Sequence, residues 1–172
     1  MDMPAGLKET SSLISVSFQV NESAPNTFTE DRIDLQLNPL DQEVFVVYAV
    51  NLDPFSPNAV DGVDTRTFSS LTTTSQTAVA NLSVSNCLAN ANEQIQSPGP
   101  GLAGIGFQTS AGETPASTLE YIGIIATNDC FVQVQGVGNL TARGVSGRMY
   151  GVRAKASSSI YAALVQSEIL SS

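Results

Sequence analysis

The sequence predicts an all-β protein, an antiparallel β-sandwich of about eight strands. Apolar and polar residues alternate over several short segments, which is typical of strands with one buried and one solvated face. Turn-forming residues separate these segments at short intervals. A length of 172 residues is enough for a core without disulfide or metal support. We therefore expect a flexible N-terminal arm over residues 1–12 and a single sandwich domain over residues 13–172.

The first three strands have the clearest patterns. "LISVSFQV" (13–20) and "RIDLQLN" (32–38) alternate strictly between apolar and polar residues, so each predicts a half-buried strand. "EVFVVYAV" (43–50) is apolar on both faces and rich in β-branched and aromatic residues. It predicts a strand at the centre of a sheet.

The later strands are marked by composition and by turns. After a loop over 51–64, the Thr- and Ser-rich stretch 66–84 predicts one or two strands, anchored by Val79, Leu82 and Val84. Three further strands are expected, at 119–126, 131–137 and 143–156. The C-terminal "SSSIYAALVQSEIL" fits a helix face and also a last strand. We favour the strand, because the rest of the chain is β.

A glycine motif lies in "QSPGPGLAGIGFQ" (96–108). Gly99, Gly101 and Gly104 match the G-x-G-x-x-G spacing of dinucleotide-binding loops. Such a loop must follow a buried strand and begin a helix, and neither neighbour has that pattern. Pro100 also removes one of the backbone N–H donors that a phosphate needs. The motif therefore predicts a long flexible connection over 96–116, and no cofactor.

Composition argues against an enzyme. The chain has no histidine, so a Ser or Cys nucleophile lacks its ordinary base. Acidic residues on predicted loops are available for glycoside chemistry, but the chain has no Trp on which a sugar stacks. We interpret these acids as solvated; they are Asp53, Asp61, Asp64, Glu93 and Glu113.

The same loops contain oxygen ligands of the kind Ca²⁺ takes. Asp53, Asn58, Asp61 and Asp64 lie within "DPFSPNAVDGVD". Their spacing misses the EF-hand pattern, and local Asx turns explain the residues equally well. Metal binding is not predicted, and Asp53, Asp61 and Asp64 remain calcium candidates.

Two cysteines are too few for a disulfide framework or a metal knuckle. We expect Cys87 and Cys130 to be buried, inert thiols in a reducing cytosol. A bridge between them stays open, because the sequence does not give their separation.

The chain is acidic, with a formal net charge of −9. This charge argues against nucleic-acid binding through phosphate neutralisation. Acids are concentrated in the first third and cations near the C-terminus, which would steer head-to-tail contact between copies; two solvated faces are the simpler interpretation. Contacts are expected at loops 51–64 and 96–116 and at the basic stretch 143–155. The candidate contact residues are Arg143, Arg148, Arg153, Lys155, Asp31 and Asp34.

No segment has the pattern of a signal peptide, and the longest apolar runs are well short of the roughly 20 residues that a spanning helix requires. The alternating strands, the Thr-, Ser-, Asn- and Gly-rich later strands and the missing export signal resemble small viral capsid proteins of jelly-roll type. The resemblance implies a virion structural protein (a capsid, shell or decoration subunit) that is made in the host cytoplasm. It implies copies of the chain itself and other virion proteins as partners. Without a basic N-terminal arm, direct genome contact is not expected.

Two other classes of function fit the sequence. One is a carbohydrate- or cell-surface-binding β module, with a cleft lined by the loop acids and by one of Tyr48, Tyr121, Tyr150 or Tyr161. The other is an extracellular filament or pilin-like subunit, although no apolar N-terminal helix is present.

Overall fold

A computed structural model of the chain describes residues 3–111 and 121–170, which form ten strands and one α-helix. The elements are β1 (Leu7–Glu9), β2 (Ile14–Asn21), β3 (Thr29–Asp34), β4 (Glu43–Pro54), β5 (Thr65–Thr72), β6 (Cys87–Gln96), β7 (Ile105–Ala111), β8 (Gly123–Ile125), β9 (Asp129–Val137), β10 (Gly144–Ala156) and α1 (Ser158–Leu170). A single 3-10 turn, Pro39–Asp41, precedes β4.

The strands form two antiparallel sheets of five strands each. In sheet A, β1 and β2 both pair with β10, which is followed by β4 and β8. In sheet B the order is β3, β9, β5, β6 and β7. The chain crosses between the sheets after β2, β3, β4, β7, β8 and β9. This order is that of a jelly roll, with β1 and β7 as additional strands, and it confirms the predicted antiparallel sandwich.

The core lies between the two sheets, where alternate residues of facing strands interdigitate. Phe45 and Val47 of β4 and Met149 of β10 face Leu71 of β5 and Val132 of β9, and all five are almost completely buried. The predicted central strand is confirmed, since β4 lies between β10 and β8. Its other face is buried as well, under helix α1.

Helix α1 corrects the strand that we favoured for the C-terminal segment. Tyr161, Leu164 and Val165 recur at helical spacing and pack on the outer face of sheet A, against a cluster that includes Val46 and Ala154. Strand β10 already occupies the position where one more strand of sheet A would pair with β4. The remaining apolar surface is a face rather than an edge, and a helix covers a face.

A buried acid fixes the far end of this helix. The Glu168 carboxylate accepts hydrogen bonds from the backbone N–H of Ala126 at 2.6 Å and of Thr127 at 3.1 Å, and also from the Thr127 hydroxyl. These two residues follow β8 directly. Glu168 therefore joins the helix to the edge of sheet A.

The segment between β5 and the end of β7 differs most from the prediction. The stretch 73–86 contains no strand, and the expected anchor Leu82 is 65% exposed. The polar "NANEQIQ" belongs to β6, in which only the small side chains of Ala89 and Ala91 are fully buried. The predicted connection over 96–116 is instead a hairpin, with its loop at 97–104 and with β7 after it. Residues 112–116 lie outside the described ranges.

Boundaries shift at three other places. Strand β3 ends at Asp34, earlier than predicted, although Leu35 and Leu37 are buried beyond it. The predicted strand 119–126 begins outside the described ranges, and β8 lies within its described part. Within the segment expected as an N-terminal arm, Leu7–Glu9 pair with β10 as β1.

Both cysteines are free thiols, so the disulfide left open by the sequence is not formed. Thr72 of β5 pairs with Cys87 on one side and with Phe131, next to Cys130, on the other. The two cysteines therefore lie two strands, or about 10 Å, apart, beyond the reach of a disulfide.

The thiols differ in environment, which predicts their reactivity. Burial, together with the nearby charges of Asp129 and Glu168, raises the pKa of Cys130 from 9.0 to about 12. Burial also raises the pKa of the half-buried Cys87, against a smaller opposite effect of its hydrogen bond to Ala89. With iodoacetamide at about pH 8.5, mass spectrometry should find Cys87 slowly alkylated and Cys130 unmodified, because only thiolates react.

Denaturant is the control for this experiment, since both cysteines of the unfolded chain should react at the same rate. The raised pKa of Cys130 also means that the folded chain retains a proton that the unfolded chain releases near pH 9. The free energy of unfolding should therefore fall between about pH 9 and pH 12. Alkylation of both cysteines at equal rates in the folded protein would contradict the description of Cys130 as sealed in the core.

Candidate functional site

A polar clasp ties the loops together at one end of the sandwich. The buried Glu22 carboxylate accepts hydrogen bonds from the backbone N–H of Thr27 at 2.7 Å, of Gly136 at 2.9 Å and of Arg143 at 2.8 Å. These donors belong to three separate parts of the chain. Glu22 therefore serves as an anchor for backbone and not as a reactive acid.

Three asparagines extend the clasp. Asn26 and Asn139 exchange reciprocal hydrogen bonds between side chain and backbone, at 2.9 and 2.8 Å. The Asn139 amide also donates to the carbonyl of Arg66 and accepts from the N–H of Asn58. Asn58, proposed from the sequence as a metal ligand, accepts from Leu140 and Thr141 instead. No sequence pattern predicts this clasp, because its hydrogen bonds join residues that are distant in the chain.

The calcium candidates are not brought together. The carboxylate of Asp61 accepts from the N–H of Gly101, and that of Asp64 accepts from the N–H of Ser97, so both acids fasten the loop of the β6–β7 hairpin. Asp53 lies in β4, not in a loop. Within residues 3–111 and 121–170, no three His, Cys, Asp or Glu side chains lie close enough together to hold a metal ion.

The G-x-G-x-x-G motif occupies the loop of this same hairpin. Gly99 and Gly101 adopt positive φ, and Gly104 leaves room for the Ile95 side chain, which a Cβ would meet at 2.6 Å. The loop is followed by the strand β7 and not by a helix, so no helix N-terminus faces the glycines. The glycines shape a turn.

Among the predicted contact residues, two arginines are engaged within the chain. Arg153 forms an ion pair with Glu43 at 2.8 Å and donates to the carbonyls of Leu35 and Gln36. Arg143 donates to the carbonyls of Ser56 and Ala142. Both bind loops of their own subunit.

The other candidates remain accessible. Arg148 and Lys155 of β10 are exposed, and so are Asp31 and Asp34 on the outer strand β3 of sheet B. Asp31 and Asp34 accept only local backbone hydrogen bonds, from Arg32 and Gln36.

The half of sheet A that helix α1 leaves uncovered forms a polar groove of about 580 Å³. Its floor consists of rows of paired residues across β2, β10 and β4: Ser17, Arg148 and Asn51 form one row, and Gln19, Ser146 and Asp53 form the next. Tyr150 closes the end toward the helix. We call this surface the sheet A groove.

The tyrosines predicted as alternatives for a sugar cleft divide between two environments. Tyr48, Tyr121 and Tyr161 pack in the apolar cluster under helix α1, and the Tyr48 hydroxyl contacts the sulfur of Met3 at 3.8 Å. Only Tyr150 lies in a groove with an acid, Asp53. Strand pairing brings these two residues together, and the sequence gives no sign of that pairing.

A second surface is the outer edge of sheet B. All residues of β7 except Ala111 are exposed, and among the described residues this strand pairs only with β6. The side chains of Ile105 and Phe107 are 57% and 46% exposed. The sequence did not predict this exposed edge, because residues 105–111 lie within the segment that was interpreted as a flexible connection.

Comparison with known proteins finds distant similarity to solved structures. No family model and no curated protein matches the chain. Among solved structures it is similar to the Merkel cell polyomavirus VP1 unassembled pentamer, at 7% identity and a TM-score of 0.35, over 86% of this chain and 96% of that one. Any function has to follow from this chain's own residues. In the described part of the chain, no helix is long and apolar enough to cross a membrane.

Proposed function

We propose that this chain is a non-catalytic structural subunit that assembles with copies of itself through its sheet edges. The observation that carries the proposal is the outer edge of β7, with which no strand of residues 3–111 and 121–170 pairs. An unpaired edge strand presents a row of backbone N–H and C=O groups and is a template for pairing with another chain. Natural proteins protect such edges with charges, prolines or bulges. Strand β7 is seven residues long, contains neither a charge nor a proline, and exposes Ile105 and Phe107.

The other sheet edges indicate where a second copy pairs. Strand β3 carries Glu30, Asp31, Arg32 and Asp34, and β8 has only three residues. Strand β2 has eight residues and no charge, and no strand of the described chain pairs with its outer side. In a chain of net charge −9, copies approach with least repulsion at the uncharged edges of β2 and β7.

These two edges lie on opposite sides of the molecule. Strand β2 packs over β3 and β9, whereas β4, further along sheet A, packs over β5 and β6, beyond which lies β7. If β7 of one copy pairs with β2 of the next, the contact is head-to-tail. Contacts of this kind build rings, shells or filaments according to their angle.

The proposed setting is a virion, in which the chain would be a capsid, shell or decoration subunit alongside other virion proteins. The jelly-roll order supports this setting, because viral capsid domains use the same arrangement of strands. The packing of Glu22, Asn139 and Arg143 supports it too, since these residues hold the loops in place at one end of the subunit.

Replacing Ile105 and Phe107 together with Glu should abolish assembly. The two acids add like charges at the edge where copies meet, while both positions are exposed in the free subunit. Light scattering after size-exclusion chromatography should show multimers for the parent chain and monomers for the variant, and negative-stain imaging should show the same difference. Circular dichroism should be unchanged.

Leu82→Glu is the matched control, because it also places an acid at an exposed apolar position but lies away from both edges. This variant should assemble normally. A parent chain that remains monomeric at high concentration would overturn the proposal, and so would normal multimers from the double variant.

A further inference from the structure

The sheet A groove has a set of side chains whose bonding capacity the fold does not use. Most described carboxylates accept hydrogen bonds within the chain, as those of Glu22 and Glu168 do. The carboxylate of Asp53 accepts none, and neither the Asn51 amide nor the Tyr150 hydroxyl has a partner among the described residues. Arg148 uses only its Nε, which donates to the Ser17 hydroxyl at 3.2 Å.

These groups match a polyhydroxylated ligand. Sugar hydroxyls both donate and accept, so they suit a surface that alternates the acceptor Asp53, the donor Arg148 and the amides of Gln19 and Asn51. The Tyr150 ring offers an apolar face against which the C–H face of a sugar ring stacks. Three strands and three rows of residues measure about 10 Å by 13 Å, which accommodates one or two sugar rings.

The charges of the groove indicate which polyhydroxylated ligands it would bind. Asp53 and Arg148 are its two charged side chains, and they do not form an ion pair with each other. An anionic ligand would meet the free carboxylate of Asp53, and a cationic one would meet the guanidinium of Arg148. The opposite charges of Asp53 and Arg148 therefore favour a ligand without net charge.

We propose that the sheet A groove binds a neutral oligosaccharide. Asp53 and Asn51 bind its hydroxyls, Arg148 donates to its ring or hydroxyl oxygens, and Tyr150 stacks on one sugar ring. The groove lies on the outer face of sheet A, beside the β2 edge that would pair with β7 of another copy. Pairing at a strand edge leaves this face uncovered, so a multimer would display many grooves. Many weak sites on one particle bind a glycan-bearing surface far more tightly than one site does.

The test begins with labelled protein on an array that carries neutral, sialylated and sulfated oligosaccharides. The neutral glycan that binds best is then titrated into ¹⁵N-labelled protein, and we expect backbone amide shifts in β2, β4 and β10 around the groove. Asp53→Ala and Tyr150→Ala should each weaken binding at least tenfold. Tyr150→Phe keeps the ring and should lose less than Tyr150→Ala.

Glu93→Ala is the matched control, because Glu93 also has a carboxylate without a hydrogen-bond partner but lies on β6 of sheet B. It should bind as the parent chain does. The titration is repeated with the assembly-defective variant in which Ile105 and Phe107 are Glu. Binding by that variant keeps this proposal independent of the assembly proposal.

Three results would overturn the inference. One is the absence of binding to any neutral glycan on the array by both multimeric and monomeric protein. Another is binding that survives Asp53→Ala and Tyr150→Ala with circular dichroism unchanged. The third is binding restricted to sialylated or sulfated glycans and lost in Arg148→Ala, which would assign the groove to anions.

Discussion

Glu22→Ala should lower the free energy of unfolding by about 4 kcal/mol. The substitution leaves the backbone N–H groups of Thr27, Gly136 and Arg143 without their acceptor, and the hydrogen bond of Gly136 is fully buried. Water cannot replace the carboxylate fully, since Glu22 is only 5% exposed. Urea unfolding of the monomeric subunit, followed by circular dichroism, measures the loss.

Two further variants separate the hydrogen bonds from other effects. Glu22→Gln keeps the shape and one acceptor oxygen but directs an NH₂ group at backbone donors, and it should cost about 2 kcal/mol. Glu9→Ala removes an exposed carboxylate that accepts no hydrogen bond in the described chain, and it should change stability by less than about 0.5 kcal/mol. Similar losses for Glu22→Ala and Glu9→Ala would show that the clasp does not contribute to stability.

Gly151→Ala should cost about 3 kcal/mol, because the position has no room for a methyl group. A Cβ there would collide with the backbone carbonyl of Val46 and meet the Phe45 ring at 2.6 Å. The carbonyl belongs to β4, which is paired on both sides and cannot move aside. The residue also adjoins the register shift between β10 and β4, where Tyr150 pairs with Ala49 and Gly151 pairs with Val47.

Gly106→Ala is the control for this prediction. A Cβ at Gly106 meets no heavy atom within 4 Å. Its stability should change by less than about 0.5 kcal/mol, with a small gain because alanine restricts the unfolded chain. Thermal melting of both variants is the measurement, and a Gly151→Ala protein that melts like the parent chain would refute the close contact.

The sequence predicts the strands in which the pattern of apolar and polar residues matches the pattern of buried and exposed side chains. Val16 and Phe18 of β2 alternate with serines, and β4 is apolar on both faces, so both strands can be predicted from the apolar pattern alone. Strand β6 is not predictable in this way, because only the small side chains of Ala89 and Ala91 are fully buried, while Asn, Glu and Gln fill most of the other positions from 90 to 96. The helix α1 was ambiguous because the same apolar residues fit two periods.

The sheet A groove and the β7 edge could not have been located from the pattern of apolar and polar residues. Tyr150 and Asp53 were each singled out from the sequence, but only the antiparallel register of β4 on β10 places them in one groove. The β7 edge depends on which strand ends sheet B, a property of topology and not of residue type. The hydrogen bonds that Glu22 accepts from the backbone N–H groups of Gly136 and Arg143 connect residues more than a hundred positions apart, beyond any local pattern.

The position of β10 has a consequence for how the chain folds. This strand pairs with β4 on one side and with β1 and β2 on the other, joining Leu7 to Ala156 and Asn21 to Gly144. Sheet A therefore cannot form completely until residue 156 has left the ribosome. The pairings of β10 with β1 and β2 also carry the entropy cost of closing very long loops. We expect slow folding that completes only after strand β10 has been synthesised. Incomplete chains would lack the strand that holds β2 in place, so copies would meet as finished subunits.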